Sequence, residues 1–259
     1  MKMSPRLAAV ILACLCSVAV SAKIKPDEAI VEIKCLIPQE NIADFSKKLH
    51  LESKPPLTRV VCFFDTESQS LFQHNPKVVL RSRYDSTNET DTTVKIREGK
   101  VQGENVECEF DEELGKDKIP SCSVTKKGES ERQIKKANIG HDVKKIFSKE
   151  REATLLSTFG KIDWHKLKPY GPVKDIRVWK KIRLSGGPDL TVEQWKLPAC
   201  PGRSARVLFE VSTKVALNQE AKASKWLADL VELSETGSDQ ESETKTRIVM
   251  EHFKSDATR

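Results

Sequence analysis

The sequence has no apolar run of ~20 residues, the length a membrane-spanning helix requires, so no transmembrane span is indicated. It has no Cys-x-x-Cys pair, which argues against a thiolate zinc site. It has no Gly-x-Ser-x-Gly elbow of the kind that exposes a nucleophilic serine. No phosphate-loop pattern follows Ser185-Gly186-Gly187-Pro188, which reads as a turn between strands. The five histidines (His50, His74, His141, His165 and His252) lack metal-ligand spacing and read as surface or packing groups. Trp164, Trp179, Trp195 and Trp226 have no interleaved aromatic neighbours on one strand, so they read as packing groups rather than base-stacking platforms. Internal repeats and the compositional bias of collagen or a coiled coil are also lacking. Lys and Arg number 44 against 38 Asp and Glu, interspersed rather than blocked, which excludes a purely basic nucleic-acid arm.

What is present begins with a targeting segment. Lys2 and Arg6 precede a nearly continuous apolar run from Leu7 to Val20, and Val20 and Ala22 supply the small residues of a cleavage site. Residues 1–22 are therefore expected to be a secretory signal peptide, and the protein to be extracellular. Cleavage would remove two positive charges from a chain of formal net charge +6, leaving too mild an excess to draw nucleic acid or membrane surfaces by itself. Five cysteines would remain: Cys35, Cys62, Cys108, Cys122 and Cys200. Their odd number leaves an unpaired thiol or an intermolecular bond. Cys35, Cys62 and Cys108 lie in strand-like runs and read at least as readily as small buried hydrophobes. Cys122 and Cys200 lie in loop-like sequence and are the better disulfide candidates. Asn88-Glu89-Thr90 is a glycosylation sequon in a polar turn.

Residues 23–254 have the length of one large domain, with a polar insertion at about 111–140 and a tail at 255–259. Strands are expected at Ala29 to Ile37, Arg59 to Phe64, Val78 to Tyr84, Thr92 to Arg97, Val106 to Phe110, Asp175 to Leu184, Leu190 to Leu197 and Arg206 to Val215. Helices are expected after Pro38, from Val143 to about Phe159 behind an Asp142 cap, and from about Leu217 to Glu235. Ile248 to Phe253 is a last element that could dock. The class is α+β. Asp65 reads as a turn cap in preference to a catalytic group.

The informative pattern is the composition of the strand faces, because successive side chains of a strand point to opposite sides. Glu32 and Lys34 share a face against Ile33 and Cys35. Arg81 and Arg83 share one, as do Lys95 and Arg97, and Glu107 and Glu109. Asp175, Arg177, Lys181 and Arg183 oppose Ile176, Val178 and Ile182, while Glu210, Ser212 and Lys214 oppose Phe209, Val211 and Val215. Two architectures satisfy this alternation. One is an antiparallel sheet with one solvated face. The other is a closed barrel with the charges inside and helices covering its apolar outside. Charges inside must pair or meet a ligand. Arginine pairs suit phosphate oxygens and carboxylates suit Mg²⁺ or Mn²⁺, the combination that phosphoryl chemistry uses.

Val31-Glu32-Ile33-Lys34, Phe63-Phe64-Asp65-Thr66, Leu80-Arg81-Ser82-Arg83 and Thr93-Val94-Lys95-Ile96-Arg97, in that order, resemble the CYTH superfamily of triphosphate tunnel proteins. Ile146 to Glu150, Gly171-Pro172-Val173, Val192 to Trp195, Phe209 to Lys214 and Glu243 to Arg247 are similar to its second half. The resemblance implies an eight-stranded antiparallel tunnel with a charged lumen and outer helices, which would bind triphosphate-containing anions with the help of Mg²⁺ or Mn²⁺. It implies catalytic roles for Glu32, Lys34 and Glu210, and phosphate contacts from Arg81, Arg83, Lys95, Arg97, Arg177, Lys181 and Lys214. Metal contacts would come from Glu32, Glu107, Glu109, Glu193 and Glu210. Two positions depart from the pattern: Ile30 stands where the first-strand motif has a glutamate, and Ser212 where the late acidic strand has its second carboxylate. Two functions follow, a metal-dependent phosphohydrolase acting on triphosphate, polyphosphate or nucleoside triphosphates, and a non-catalytic tunnel that binds an anion with a degenerate metal site.

Overall fold

The computed structural model describes residues 29–99, 101, 105–147, 159–231 and 244–254. The expected signal peptide, the tail 255–259, the Ser148-Lys149-Glu150 motif and Glu243 lie outside these residues, as do most of the expected 143–159 helix and the end of the one expected to reach Glu235.

Alternation of β-branched and charged residues produces strands, and the described residues hold nine: β1 (Ile30–Leu36), β2 (Leu57–Asp65), β3 (Lys77–Asp85), β4 (Thr90–Arg97), β5 (Glu107–Glu113), β6 (Ile119–Lys127), β7 (Lys168–Ile182), β8 (Leu190–Leu197) and β9 (Arg206–Ala216). They close into one barrel in the order β1-β5-β6-β4-β3-β2-β7-β8-β9, with β9 paired back to β1. Closure removes every sheet edge. Two details correct the sequence expectation of eight antiparallel strands. The ninth strand, β6, lies inside the stretch expected to be an insertion; its Cys122 and Val124 are buried, while its last residues are exposed and polar. And β1 pairs β5 in parallel, Glu32 beside Asp111. That pairing is set by closure of the whole barrel, which no local signal reports.

Most of the outward face of the barrel is apolar and covered. α1 (Ile42–Lys48) and α3 (Glu220–Val231) lay Phe45, Ala223 and Leu227 over Val31, Ile33, Phe209 and Val211. α2 (Glu131–Ala137) places Ile134 and Ala137 over Cys62, Leu80 and Val94. Burying a side chain such as Ile33 contributes about 1.5–3 kcal/mol. On the same outer side a disulfide joins Cys108 of β5 to Cys122 of β6, a pair directly opposite in register. The expectation favouring Cys122 and Cys200 is thus half met. Cys108 is the partner, and Cys200 is a free thiol that contacts the His252 carbonyl at 3.2 Å. Asp142 does not cap a long helix; it has left-handed backbone before a single 3-10 turn, Val143–Ile146. Asp65 does act at a turn, accepting from the N–H groups of Thr66, Leu71 and Phe72 at 2.6, 3.0 and 2.9 Å.

α4 (Lys245–His252) departs from the expectation of helices packed outside. Its Ile248, Val249 and Met250 pack with Val61, Phe63, Val79, Trp195 and Leu208. Those residues share strand faces with Arg59, Arg81, Glu193 and Glu210, so α4 lies against the lumen side of β2, β3, β8 and β9. The lumen is therefore apolar where α4 docks and charged elsewhere.

Candidate functional site in the barrel lumen

Two charged clusters line the lumen. The first is built on β1, β4, β5 and β9 around Asp111. Lys34, Lys95 and Arg97 reach this one carboxylate at 2.9, 3.0 and 3.2 Å. Lys34 also meets Glu32 at 2.8 Å, and Glu109 receives Lys95 at 3.4 Å and Lys214 at 2.5 Å. The electrostatics follow from enclosure. Burial alone would raise the Glu32 carboxyl, but Lys34, Lys214 and Lys95 outweigh it and hold it down to about 2. Burial likewise opposes the charges of Asp111 and Lys34. Lys34, Lys95 and Arg97 hold the Asp111 carboxyl far below its usual range, and Glu32 and Asp111 hold the Lys34 ammonium above its own. Lys95 goes the other way, since burial and the neighbouring Lys34 weaken its hold on the proton.

The second cluster is built on β2, β3, β4, β8, β9 and α4. Arg83 pairs with Asp91 at 2.7 Å, and Arg59 with Glu193 at 3.2 Å. Lys245 bridges Glu193 and Glu210, the latter at 2.6 Å. Trp195 donates its indole N–H to Glu193 at 2.9 Å. Arg81 is the least satisfied member. Its nearest carboxylate, Asp91, is 3.9 Å away, and its buried Nε has no hydrogen-bond partner among the described residues. Burial, and then repulsion from Arg83, pushes its guanidinium down to about 10, still charged at neutral pH.

The sequence-derived site residues divide accordingly. Glu32, Lys34, Lys95, Arg97, Glu109 and Lys214 converge in the first cluster; Arg81, Arg83, Glu193 and Glu210 stand in the second. Glu107 is exposed at the start of β5. Arg177 and Lys181 are exposed and do not line the lumen, which corrects their expected place. In β7 the polarity is inverted, because Val173, Ile176 and Val178 face inward beside α4 while the charged residues face water. Register shifts in the pairing of β7 with β2 and with β8 break its alternation further. Asn88 is exposed in the β3–β4 turn with left-handed backbone, accessible as a sequon should be. Sequence reading missed Asp111, Asp91, Arg59 and Lys245. Asp111 continues the alternating Glu107 and Glu109 face by one step, a signal that was available, whereas Asp91 is separated from Lys95 on its face by the uncharged Thr93.

Only part of the expected metal set comes together. Oxygens of Glu32, Glu109 and Asp111 lie within 4.8 Å of one another, with Asp111 in place of a late-strand carboxylate. Three hard oxygen donors at this spacing fit Mg²⁺ or Mn²⁺ with water completing the shell. The ion would compete with Lys34, Lys95 and Lys214 for the same oxygens.

No family model matches the sequence, and no curated protein matches it either. Solved structures do resemble it. A proposed adenylate cyclase from Bacillus halodurans superposes with a TM-score of 0.53 at 16% identity, covering 82% of this chain and 95% of that one. HpAC1 from Hippeastrum, a proposed adenylyl cyclase described as having a dominant triphosphatase activity, gives 0.50 at 14% identity over 81% and 92%. Together the closed barrel and these likenesses define the fold, a closed barrel with charges of both signs on its inner face. The chain shares its fold with these two structures, and its sequence motifs resemble the CYTH superfamily.

Proposed function

We propose that this chain is a secreted tunnel protein whose lumen binds a phosphate-rich anion. The observation that carries the reading is the half-buried, incompletely paired Arg81 beside Arg83. Arg81 donates from Nη2 to the Thr93 hydroxyl at 3.3 Å and has only a distant share of Asp91, while its Nε has no partner among the described residues, so a phosphoryl oxygen would supply that partner at the strength of a charge-assisted hydrogen bond. Within the two clusters eight cations face six carboxylates, which would let an anion enter without a metal ion. The Cys108–Cys122 disulfide agrees with an oxidising compartment and hence with export. Calorimetric titration with inorganic triphosphate in the presence of EDTA should show saturable binding. Arg81→Ala and Arg83→Ala should each weaken it roughly tenfold to a hundredfold, the range of a lost charged hydrogen bond. Binding that needs a divalent ion, or that survives both substitutions, would remove the basis of this reading.

The Glu32–Glu109–Asp111 cluster favours a second reading, a divalent-metal-dependent phosphohydrolase acting on triphosphate, polyphosphate or nucleoside triphosphates. Those three residues would hold Mg²⁺ or Mn²⁺, which when bound would neutralise phosphoryl oxygens. Lys34 and Lys95 would orient the phosphate chain, and Arg81 and Arg83 would grip its far end. Phosphate release that depends on Mg²⁺ or Mn²⁺ and disappears in Glu32→Gln is the expected result. The absence of release from all three substrate classes would leave the binding function alone.

A further inference from the structure

Glu193 and Glu210 are directly opposite each other on β8 and β9, and both are well buried. Like charges facing across a strand pair repel, and enclosure sharpens the repulsion, so the pair requires a shared cation. That cation comes from a distant part of the chain. The Lys245 ammonium contacts both carboxylates and lies 4.7 Å from the Trp195 ring centroid. It is held there from two sides. Ile248, Val249 and Met250 anchor α4 to the apolar part of the lumen, and Thr244 caps the helix by accepting from the Arg247 N–H at 3.2 Å. Two facing carboxylates with one cation between them is also the arrangement in which a divalent ion would sit. Here a tethered ammonium takes that position, with its stem packed and its side chain nearly enclosed.

We propose that Lys245 is a built-in counter-cation that closes the Glu193–Glu210 pair to divalent metal ions. Among the described residues the lumen then offers only the Glu32–Glu109–Asp111 group to such ions, and the pair that the sequence motifs assign to a metal is permanently compensated by the chain itself. This inference concerns the pair alone and stands whether or not the lumen binds phosphate.

The test is titration of the full chain with Mn²⁺, followed by calorimetry and by the paramagnetic resonance signal of the free ion. Lys245→Met keeps the packed stem and removes the charge. It should gain about one equivalent of Mn²⁺ bound through carboxylate oxygens, which Lys245→Met combined with Glu210→Gln should lose again. Lys245→Arg should stay closed. In the unmodified chain, Glu210→Gln should leave Mn²⁺ binding as it was, including the case of none before and none after. A Lys245→Met protein that folds and takes up no additional ion overturns the proposal. So does a drop in Mn²⁺ affinity of about tenfold or more on Glu210→Gln in the unmodified chain, since a closed pair cannot contribute to binding. If Lys245→Met does not fold, the Glu210→Gln comparison decides.

Discussion

Replacing Asp111 by alanine should destabilise the barrel by about 3–5 kcal/mol, the loss expected when one member of a buried ionic cluster is removed and its partners remain. For a chain of this size that corresponds to a fall in melting temperature of roughly 10 °C. The reason lies in how unevenly the remaining carboxylates can compensate. Lys34 would keep Glu32 at 2.8 Å and Lys95 would keep Glu109 at 3.4 Å. Arg97 would lose the carboxylate at 3.2 Å from its Nε while staying buried. Adding Arg97→Met to Asp111→Ala should therefore recover part of the loss, a non-additivity that a merely packed aspartate would not produce. Glu107→Ala, at the exposed start of the same strand, should stay within about 0.5 kcal/mol of the parent. Thermal melts of the four proteins test the argument. An Asp111→Ala variant melting within a degree or so of the parent would mean that the cluster does not hold the strands as described.

How much of this could be read beforehand differs from strand to strand. In β1 and β3 the pattern was complete: Val31 and Ile33 are buried beneath helices, and Glu32 and Lys34 stand in the lumen. Alternation defines two faces, but it does not say which one is inside. That missing sign is why Arg177 and Lys181 were expected in the lumen and are found in water. The lumen next to β7 is filled by α4, so the inward face there had to be Val173, Ile176 and Val178. Asp111 was lost for a different reason. Phe110-Asp111-Glu112-Glu113 looks like the start of a polar insertion, yet Asp111 faces the lysines while Glu112 turns outward to accept from Ser224 at 2.6 Å. β6 was hidden because Pro120, Ser121 and Ser123 stand where the β-branched and aromatic residues that advertise a strand would be expected. Lys245 lies within the Glu243 to Arg247 stretch that the resemblance includes, yet nothing local gave it a role, since that role depends on a helix docked from far along the chain. Arg59, a single charge within an apolar run, becomes intelligible only once Glu193 is seen 3.2 Å away.

Acid should unfold this protein earlier than its compact core alone would suggest, and Glu32 sets where the loss begins. The Glu32 carboxyl is held down to about 2 in the folded chain, against 4.5 for an unperturbed glutamate. A depressed carboxylate contributes stability that is fully present above its unfolded value and is lost as the pH falls through its folded one. Between about pH 4.5 and pH 2 the unfolded chain binds the proton and the folded chain resists it, so stability falls by up to about 1.4 kcal/mol per pH unit for this group. Its total is roughly 2–3 kcal/mol once residual solvent access is allowed for. Asp111 and Glu193 are depressed further and extend the loss in the same direction as acidity increases. Glu210 acts oppositely. Burial, and then the field of Glu193, raises its carboxyl, although Lys245 pulls against the rise; the folded chain takes up that proton first and offsets part of the early loss. At the alkaline end, Lys245 is raised above its ordinary value because its carboxylate partners outweigh burial. Its contribution is therefore intact below about pH 10 and disappears only as the pH climbs through the raised folded value. Urea unfolding measured from pH 7 down to pH 3 should show a steep decline, and Glu32→Gln should flatten it while lowering stability at pH 7. A Glu32→Gln protein whose stability declines with the same slope as the parent would show that Glu32 is not held by the lysines, and that the ionic lumen is more open to water than its geometry implies.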